Sequence, residues 1–274
     1  MVQSLADRLF GVSGKTALVT GGATGIGRMI AAALVGGGAR VLIASRKVEA
    51  CEAAAAEINA EGHPGRAEAL AGDVSTEAGV AALAEAVEAR AEHLHILVNN
   101  AGTSWGAPLG SFPHAAWERV HAVNVAGPFS LTQRLLPRLA AAASDEDPAR
   151  VINLGSVMGT AALGDGAYSY AASKAAMHHL TRILAKELAG RRITVNAFAP
   201  GPFPSKMTAF ATGTAEGAAR TAAGVPLGRM GTPEDIAGAT LYLCGRAGAY
   251  VTGAILPIDG GIAVMSGPAL FGDE

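Results

Sequence analysis

Charge is scarce in this 274-residue chain: only 16% of residues are Asp, Glu, Lys or Arg, and 21 cations stand against 23 anions for a net charge of −2. No long basic run exists to neutralise phosphates, which argues against nucleic acid as a partner. Cysteine is nearly absent. Cys51 and Cys244 have neither metal-ligand nor redox spacing, and a reduced, cytoplasmic protein is the simplest expectation. No stretch of about 18 apolar residues runs without charge or turn residues, so no membrane span is expected. The N-terminal MVQSLADRLFGVSGK carries Asp7 and no continuous apolar run, which speaks against a secretory signal.

Glycine and alanine, by contrast, are abundant, and there are 36 glycines. Disorder is excluded because 50% of the chain is apolar and its net charge is small. Collagen is excluded because the glycines follow no three-residue period. A soluble, well-buried globular chain remains, and one of this length buries roughly three quarters of its unfolded surface.

Short apolar runs alternate with helical stretches. Thr16–Thr20 reads as a strand, Ile26–Gly38 as a helix and Arg40–Ala44 as a second strand, together spanning one βαβ unit. Further strands are expected at 66–74, 95–98, 150–154, 193–198 and 254–258, and helices at 48–61, 76–90, 113–143 and 169–189. Continuous apolar strands between helices imply a parallel sheet covered on both faces. The expectation is a single-domain α/β fold over residues 1–274, Rossmann-like and doubly wound. Ligands of such sheets bind outside the carboxyl ends of the strands. Residues 144–148 read as a charged turn. The Gly-, Ala-, Thr- and Pro-rich segment 201–232 interrupts the alternation and reads as a lid over a substrate site.

Three clusters carry chemistry. After the first strand comes Thr20-Gly-Gly-Ala-Thr-Gly-Ile-Gly27, a Gly-x-x-x-Gly-x-Gly pattern opening a helix. Gly21, Gly25 and Gly27 remove side chains where a backbone must turn, approach a pyrophosphate and pack, and the helix start offers free N–H groups to phosphate charge. At the end of the second strand stands Ala44-Ser-Arg-Lys47, where NAD binders carry an acid. Arg46 can grip a 2′-phosphate, so NADP(H) is preferred; otherwise Arg46 and Lys47 only begin a solvated helix face. The third cluster is Tyr170-Ala-Ala-Ser-Lys174, which puts a phenol and an ammonium on one helix face. A phenol of pKa about 10 needs help to exchange protons near neutrality, and Lys174 with an oxidised nicotinamide acts in that direction. Ser156, at the end of the fifth strand, is placed to hydrogen-bond a carbonyl oxygen or simply to form a turn.

Taken together, Thr20–Gly27, Gly72-Asp73-Val74, Asn99-Asn100-Ala101-Gly102, Asn124, Ser156, Tyr170…Lys174, Pro200-Gly201 and Asp259-Gly-Gly261 resemble a short-chain dehydrogenase/reductase over nearly the whole length. Residues 99–106, 198–208 and 248–253 further resemble the 3-oxoacyl reductases of rhamnolipid synthesis. The resemblance implies a catalytic set of Asn124, Ser156, Tyr170 and Lys174. Tyr170 would protonate the carbonyl, Lys174 would lower its pKa and hold the nicotinamide ribose, and Ser156 would orient the carbonyl. Asn124 would fix a relay water. Cofactor contacts are implied at Gly21, Thr24, Gly25, Ile26, Gly27, Ser45, Arg46, Asp73, Val74, Asn100, Ala101, Gly102, Tyr170, Lys174, Pro200, Gly201, Phe203 and Ser205. Phe203 and Ser205 depart from the family's usual Ile or Val and Thr, and Thr24 stands where many NADP(H) members have a cation.

No metal site is expected, because the histidines, His178 and His179 among them, lack ligand spacing and read as ordinary core or surface residues. The small-residue face of 171–176 suits either a subunit contact or packing on the chain's own sheet, and the resemblance implies a homotetramer. A small-molecule carbonyl is the expected substrate, reduced with NADPH. Two alternatives stay open: oxidation of a polyol, sugar or steroid alcohol, and a sensor that holds a dinucleotide without turnover.

Overall fold

The computed structural model describes residues 4–163, 166–205 and 207–265; Lys206, within one of the resembling stretches, and both chain ends lie outside the described residues. Leu5–Phe10 forms α1, a short helix that the sequence reading passed over. Its start is fixed by Ser4 and Asp7, whose side chains each bond the other's backbone N–H. The βαβ unit follows as β1 (Thr16–Thr20), α2 (Gly25–Gly36) and β2 (Arg40–Ser45). Then come α3 (Val48–Ala60), β3 (Arg66–Ala71), α4 (Glu77–Glu88) and β4 (Ile96–Asn99).

The long helical stretch expected at 113–143 is helical from Ala115 to Ala142 but not uniform. It consists of α5 (Ala115–His121), a π turn over Ala122–Ala126 and α6 (Gly127–Ala142). The Gly127 N–H bonds Ala122 O, five residues back, so one surplus residue is accommodated at Asn124. β5 (Ala149–Leu154), α7 (Tyr168–Leu188) and β6 (Ile193–Pro200) follow as expected to within two residues. The segment after Pro200 holds two short helices, α8 (Ala209–Thr212) and α9 (Ala215–Ala223). A further helix, α10 (Pro233–Cys244), was missed by periodicity. Its signal is present nonetheless: Thr232-Pro233-Glu-Asp235 is a capping box with Pro in the first turn. β7 (Ile255–Ile258) ends the sheet.

The seven strands of the described residues run in the order β3-β2-β1-β4-β5-β6-β7, every neighbouring pair parallel. Two apolar layers sandwich the sheet, because its central strands are buried on both faces. Ile30, Leu34, Val35 and Ile236 of α2 and α10 cover one face, and Leu83, Leu131, Leu135 and Leu184 of α4, α6 and α7 cover the other. The strand order reverses between β1 and β4, so their carboxyl ends diverge and open a crevice there.

Candidate active site

The crevice is stitched together by the residues at its own base. Thr20 Oγ1 accepts from the N–H groups of Asn100 and Ala101, both at 3.1 Å, and Asn100 Nδ2 donates to Thr20 O (2.8 Å) and Gly21 O (3.1 Å). Gly21 turns with φ +65°, and a Cβ there would press on Asn100 Nδ2 at 2.9 Å. A side chain at Gly25, with φ +55°, would press on Ser205 Cβ at 3.1 Å. The glycine turn therefore sits directly beneath the segment after β6. Helix α2 begins without a side-chain cap and with no acid in its first turn, which leaves its positive end facing the crevice.

Two adjoining cavities fill the crevice. One, of about 360 Å³, is lined by Gly21, Thr24, Gly25, Ile26, Asn100, Ala101, Gly102, Ser156, Tyr170, Lys174, Pro200, Gly201, Phe203 and Ser205 from the expected set. The other, of about 550 Å³, shares Gly21, Thr24, Ala101 and Gly102 and continues to Ser45, Arg46, Asp73 and Val74. Two expected residues do not line either. Gly27 is buried and packs against Asn100 and Gly21 O, with no space for a Cβ. Asn124 lies one layer behind the wall.

Asn124 is 2% exposed, and its side chain is occupied by protein. Its Oδ1 accepts from Thr103 N–H (2.9 Å), while Nδ2 donates to Thr103 O (2.9 Å) and Ser173 Oγ (3.0 Å). Ser173 in turn donates to Tyr170 O (2.7 Å), so the π turn is tied to the first turn of α7. Both Asn124 N–H groups are thus spent on struts rather than left for a water. Sequence reasoning missed Thr103 and Ser173, because nothing local marks residues that meet only across the fold.

Tyr170 and Lys174 stand one turn apart at the start of α7 with the ammonium 5.5 Å from the phenol ring centre. Lys174 is 4% exposed and donates to Leu154 O at 2.6 Å. Burial lowers its pKa to about 8. The lowering of the Tyr170 pKa was expected from Lys174 together with an oxidised nicotinamide, and the protein's own groups act the other way. Burial of the phenol is the larger influence and pushes its pKa up, with a hydrogen bond to Ser156 opposing. Ser156, 7% exposed, accepts from Met158 N–H (3.2 Å), so its oxygen is fixed at the start of a 3₁₀ turn over Val157–Gly159.

At the far end of the crevice Arg46 and Asp73 are neighbours. Burial pushes the Asp73 carboxyl up, but its bonds to Ser75 and the charge of Arg46 outweigh this and leave it below the usual range. The departures at Phe203 and Ser205 also have a local cause. The Phe203 ring is 2% exposed and lies flat against Gly231, where any side chain would collide with it. Ser205 is held by mutual bonds with Thr208, whose hydroxyl also donates to Phe203 O at 2.8 Å. Met207 and Thr208 join the lining and were not foreseen. The Asp259-Gly-Gly motif backs Gly201: a Cβ there would meet Asp259 Cα at 2.8 Å. The Asp259 carboxylate accepts from the N–H groups of Gly261 and Ala263.

The family model described as enoyl-(acyl carrier protein) reductase matches residues 21–263. The rhamnolipids biosynthesis 3-oxoacyl-[acyl-carrier-protein] reductase of Pseudomonas aeruginosa is 50% identical over 252 residues, covering 92% of this chain and 97% of its own. The chain is a short-chain dehydrogenase/reductase. Other members of the family are also similar to it. Galactitol 2-dehydrogenase (L-tagatose-forming) of Cereibacter sphaeroides is 38% identical, covering 93% of this chain and 98% of its own. Among solved structures, the RhlG/NADP active-site complex of Pseudomonas aeruginosa superposes with a TM-score of 0.90 at 50% identity, covering 93% and 99% of the two chains. Membership of this short-chain dehydrogenase/reductase family makes the chain an oxidoreductase and sets aside the reading as a sensor without turnover.

Proposed function

We propose that the chain reduces a ketone with NADPH and that its substrate class is a 3-oxoacyl thioester. The crevice fits a dinucleotide phosphate by the chemistry of its donors: an uncapped helix start over glycines that leave room for a pyrophosphate, and a cation where NAD binders keep an acid. Gly21, Thr24, Gly25 and Ile26 would hold the pyrophosphate, Ser45 and Arg46 the 2′-phosphate, and Asp73 and Val74 the adenine. Asn100, Ala101 and Gly102 would pass the ribose. Tyr170 and Lys174 would hold the nicotinamide ribose, and Pro200, Gly201, Phe203 and Ser205 its amide. Gly27 contributes through packing alone. When bound, NADPH supplies a hydride for the carbonyl carbon.

The observation that carries this reading is the pairing of Tyr170 with Ser156 on the wall of the smaller cavity, with Lys174 buried behind them. Burial holds the phenol in its protonated form, the form that can give a proton to a carbonyl oxygen. Ser156 directs its hydroxyl at the same oxygen. Lys174 offsets the charge left on the phenolate, and Asn124 keeps the Thr103 backbone and Ser173 in place behind both. Segment 201–232 supplies Phe203, Ser205, Met207 and Thr208 to the wall and serves as the substrate lid.

Replacing Tyr170 by Phe tests the mechanism: NADPH consumption with a 3-oxoacyl thioester falls about 10³-fold while NADPH still binds. A near-normal rate in Y170F overturns it. The 38% identity to galactitol 2-dehydrogenase favours a second substrate class, the polyols. A panel of 3-oxoacyl thioesters, enoyl thioesters and polyols, read by cofactor absorbance, decides between them. The cytoplasm and a homotetramer complete the proposal. None of the alanines of 171–176 is fully buried, and Phe129 of α6 and Ile183 of α7 are 40% and 48% exposed, which suits a subunit contact on this side of the molecule. Light scattering of the purified protein at the monomer mass would sink the tetramer.

A further inference from the structure

His178 is a histidine to which the reaction outlined above gives no task. It lies one turn beyond Lys174 on α7, so Tyr170, Lys174 and His178 share one helix face. The side chain is 4% exposed. Its Nε2 accepts from the Ser156 N–H at 3.4 Å, and its Nδ1 lies 3.4 Å from Thr160 Oγ1. With Nε2 accepting, the ring proton belongs on Nδ1, on the side of the Thr160 hydroxyl. The imidazole therefore touches both ends of the 3₁₀ turn Val157–Gly159. The loop is shaped around it: a side chain at Gly155 would collide with Nε2, and one at Gly159 would stand 2.8 Å from Cε1. Glycines flanking Ser156 are what admit the ring.

We propose that His178 is a positioning residue for Ser156: its imidazole braces the turn that carries the serine and so fixes where the hydroxyl meets the Tyr170 phenol. The inference rests on the reductase reading above. The brace works only with a neutral ring, since a protonated Nε2 has no lone pair for the Ser156 N–H. The groups facing the ring are Lys174 and Arg182 on its own helix and the Gly159 carbonyl and Thr160 hydroxyl on the turn. Burial, aided by the two cations, lowers its pKa to about 4, so the accepting form persists at neutral pH.

A double-mutant cycle against Ser156 separates positioning from mere packing. His178→Leu lowers kcat about tenfold, the order expected when a reacting group is displaced by a fraction of an ångström. NADPH binding, read by nicotinamide fluorescence, changes less than about twofold, because the ring is absent from the crevice lining. In a Ser156→Ala background the same substitution costs nothing further. His178→Gln, whose side-chain oxygen can accept from the Ser156 N–H, recovers most of the loss. Independent, multiplicative losses in H178L and S156A overturn the proposal, as does a Gln variant no better than Leu. A Ser156→Ala enzyme with full activity overturns the reading of Ser156 itself, and the brace with it. Should H178L fail to fold, Thr160→Val in the same cycle decides: a loss of about threefold that vanishes beside S156A supports the brace, and a loss that persists there overturns it.

Discussion

Each end of the sheet buries positive charge, and the two ends treat it differently. At the amino end Arg150 is fully buried, yet its guanidinium donates to Leu243 O (3.0 Å), Gly245 O (3.0 Å), Pro148 O and Asp147 Oδ1 (3.1 Å). Lys15 meets both oxygens of the same carboxylate at 2.6 Å. At the carboxyl end Lys174 is buried with one carbonyl, Leu154 O, as its partner among the described residues and no facing carboxylate. An ammonium has three donors. The amino end uses its cations to close the structure, whereas the carboxyl end keeps bonding capacity in reserve at the cavity wall. A buried cation faced by a carboxylate is part of the frame, and one with a single carbonyl for partner has donors to spare for a ligand.

Three measurements break or sharpen this contrast. The largest effect is expected when the two ends are exchanged in turn. Lys174→Met removes the charge that offsets the phenolate and lowers kcat about 10³-fold. It leaves thermal stability equal or higher, since burying that ammonium is unfavourable. Asp147→Ala strips the carboxylate from two buried cations and costs about 3 kcal/mol of unfolding free energy, with kcat unchanged below the melting transition. Denaturant titration and steady-state rates on both variants check the pair, and a K174M enzyme as unstable as D147A would erase the distinction.

Next in size is the pH dependence of reduction. Lys174 carries its charge below about pH 8 and loses it above, so kcat/KM for reduction is flat near neutrality and falls up to tenfold per unit beyond about pH 8. An unchanged profile in a variant lacking Lys174 would assign the break to another group. The smallest effect belongs to the exposed end of the crevice. Arg46→Ala weakens NADPH binding about tenfold and leaves NADH nearly untouched, as expected for one charge-assisted contact in water. Equal losses for both cofactors would mean that Arg46 does not read the 2′-phosphate.

The same contrast explains what could be read in the chain before its fold was known. The strands were legible because buried parallel strands are unbroken apolar runs, and β1 and β2 were placed to within a residue. Gly21 and Gly25 were legible from a glycine pattern between a strand and a helix, and Tyr170 and Lys174 from their one-turn spacing read together with the family's other motifs. Helix α10 was lost because its apolar positions are diluted by Gly238 and Thr240, although its capping box stood in plain sight. Local pattern also hid the partnerships made across the fold. His178 read as an ordinary core or surface histidine until Gly155 and Gly159 were seen against its ring, and Ser173 carried no reading of its own until Asn124 was seen to reach it from 49 residues away. The Tyr170 pKa was expected to be lowered by Lys174 together with an oxidised nicotinamide, while the protein's own groups raise it, because burial is a property of the whole chain.

One consequence of the π turn concerns tolerance to changes in length. Because Gly127 N–H reaches back five residues to Ala122, the stretch Ala122–Ala126 holds a residue more than the same rise of α-helix would need. Deleting Val123 or Val125 would remove the surplus residue and let the helix run regularly over the same rise, so the positions after it would keep the face they now present. Leu131, Leu135 and Leu139 would stay buried against the sheet, and the loss would fall on Asn124, whose bonds to Thr103 and Ser173 depend on where the turn holds it. The stretch can give up one residue and keep the buried face of α6, but only at the expense of the struts that Asn124 makes.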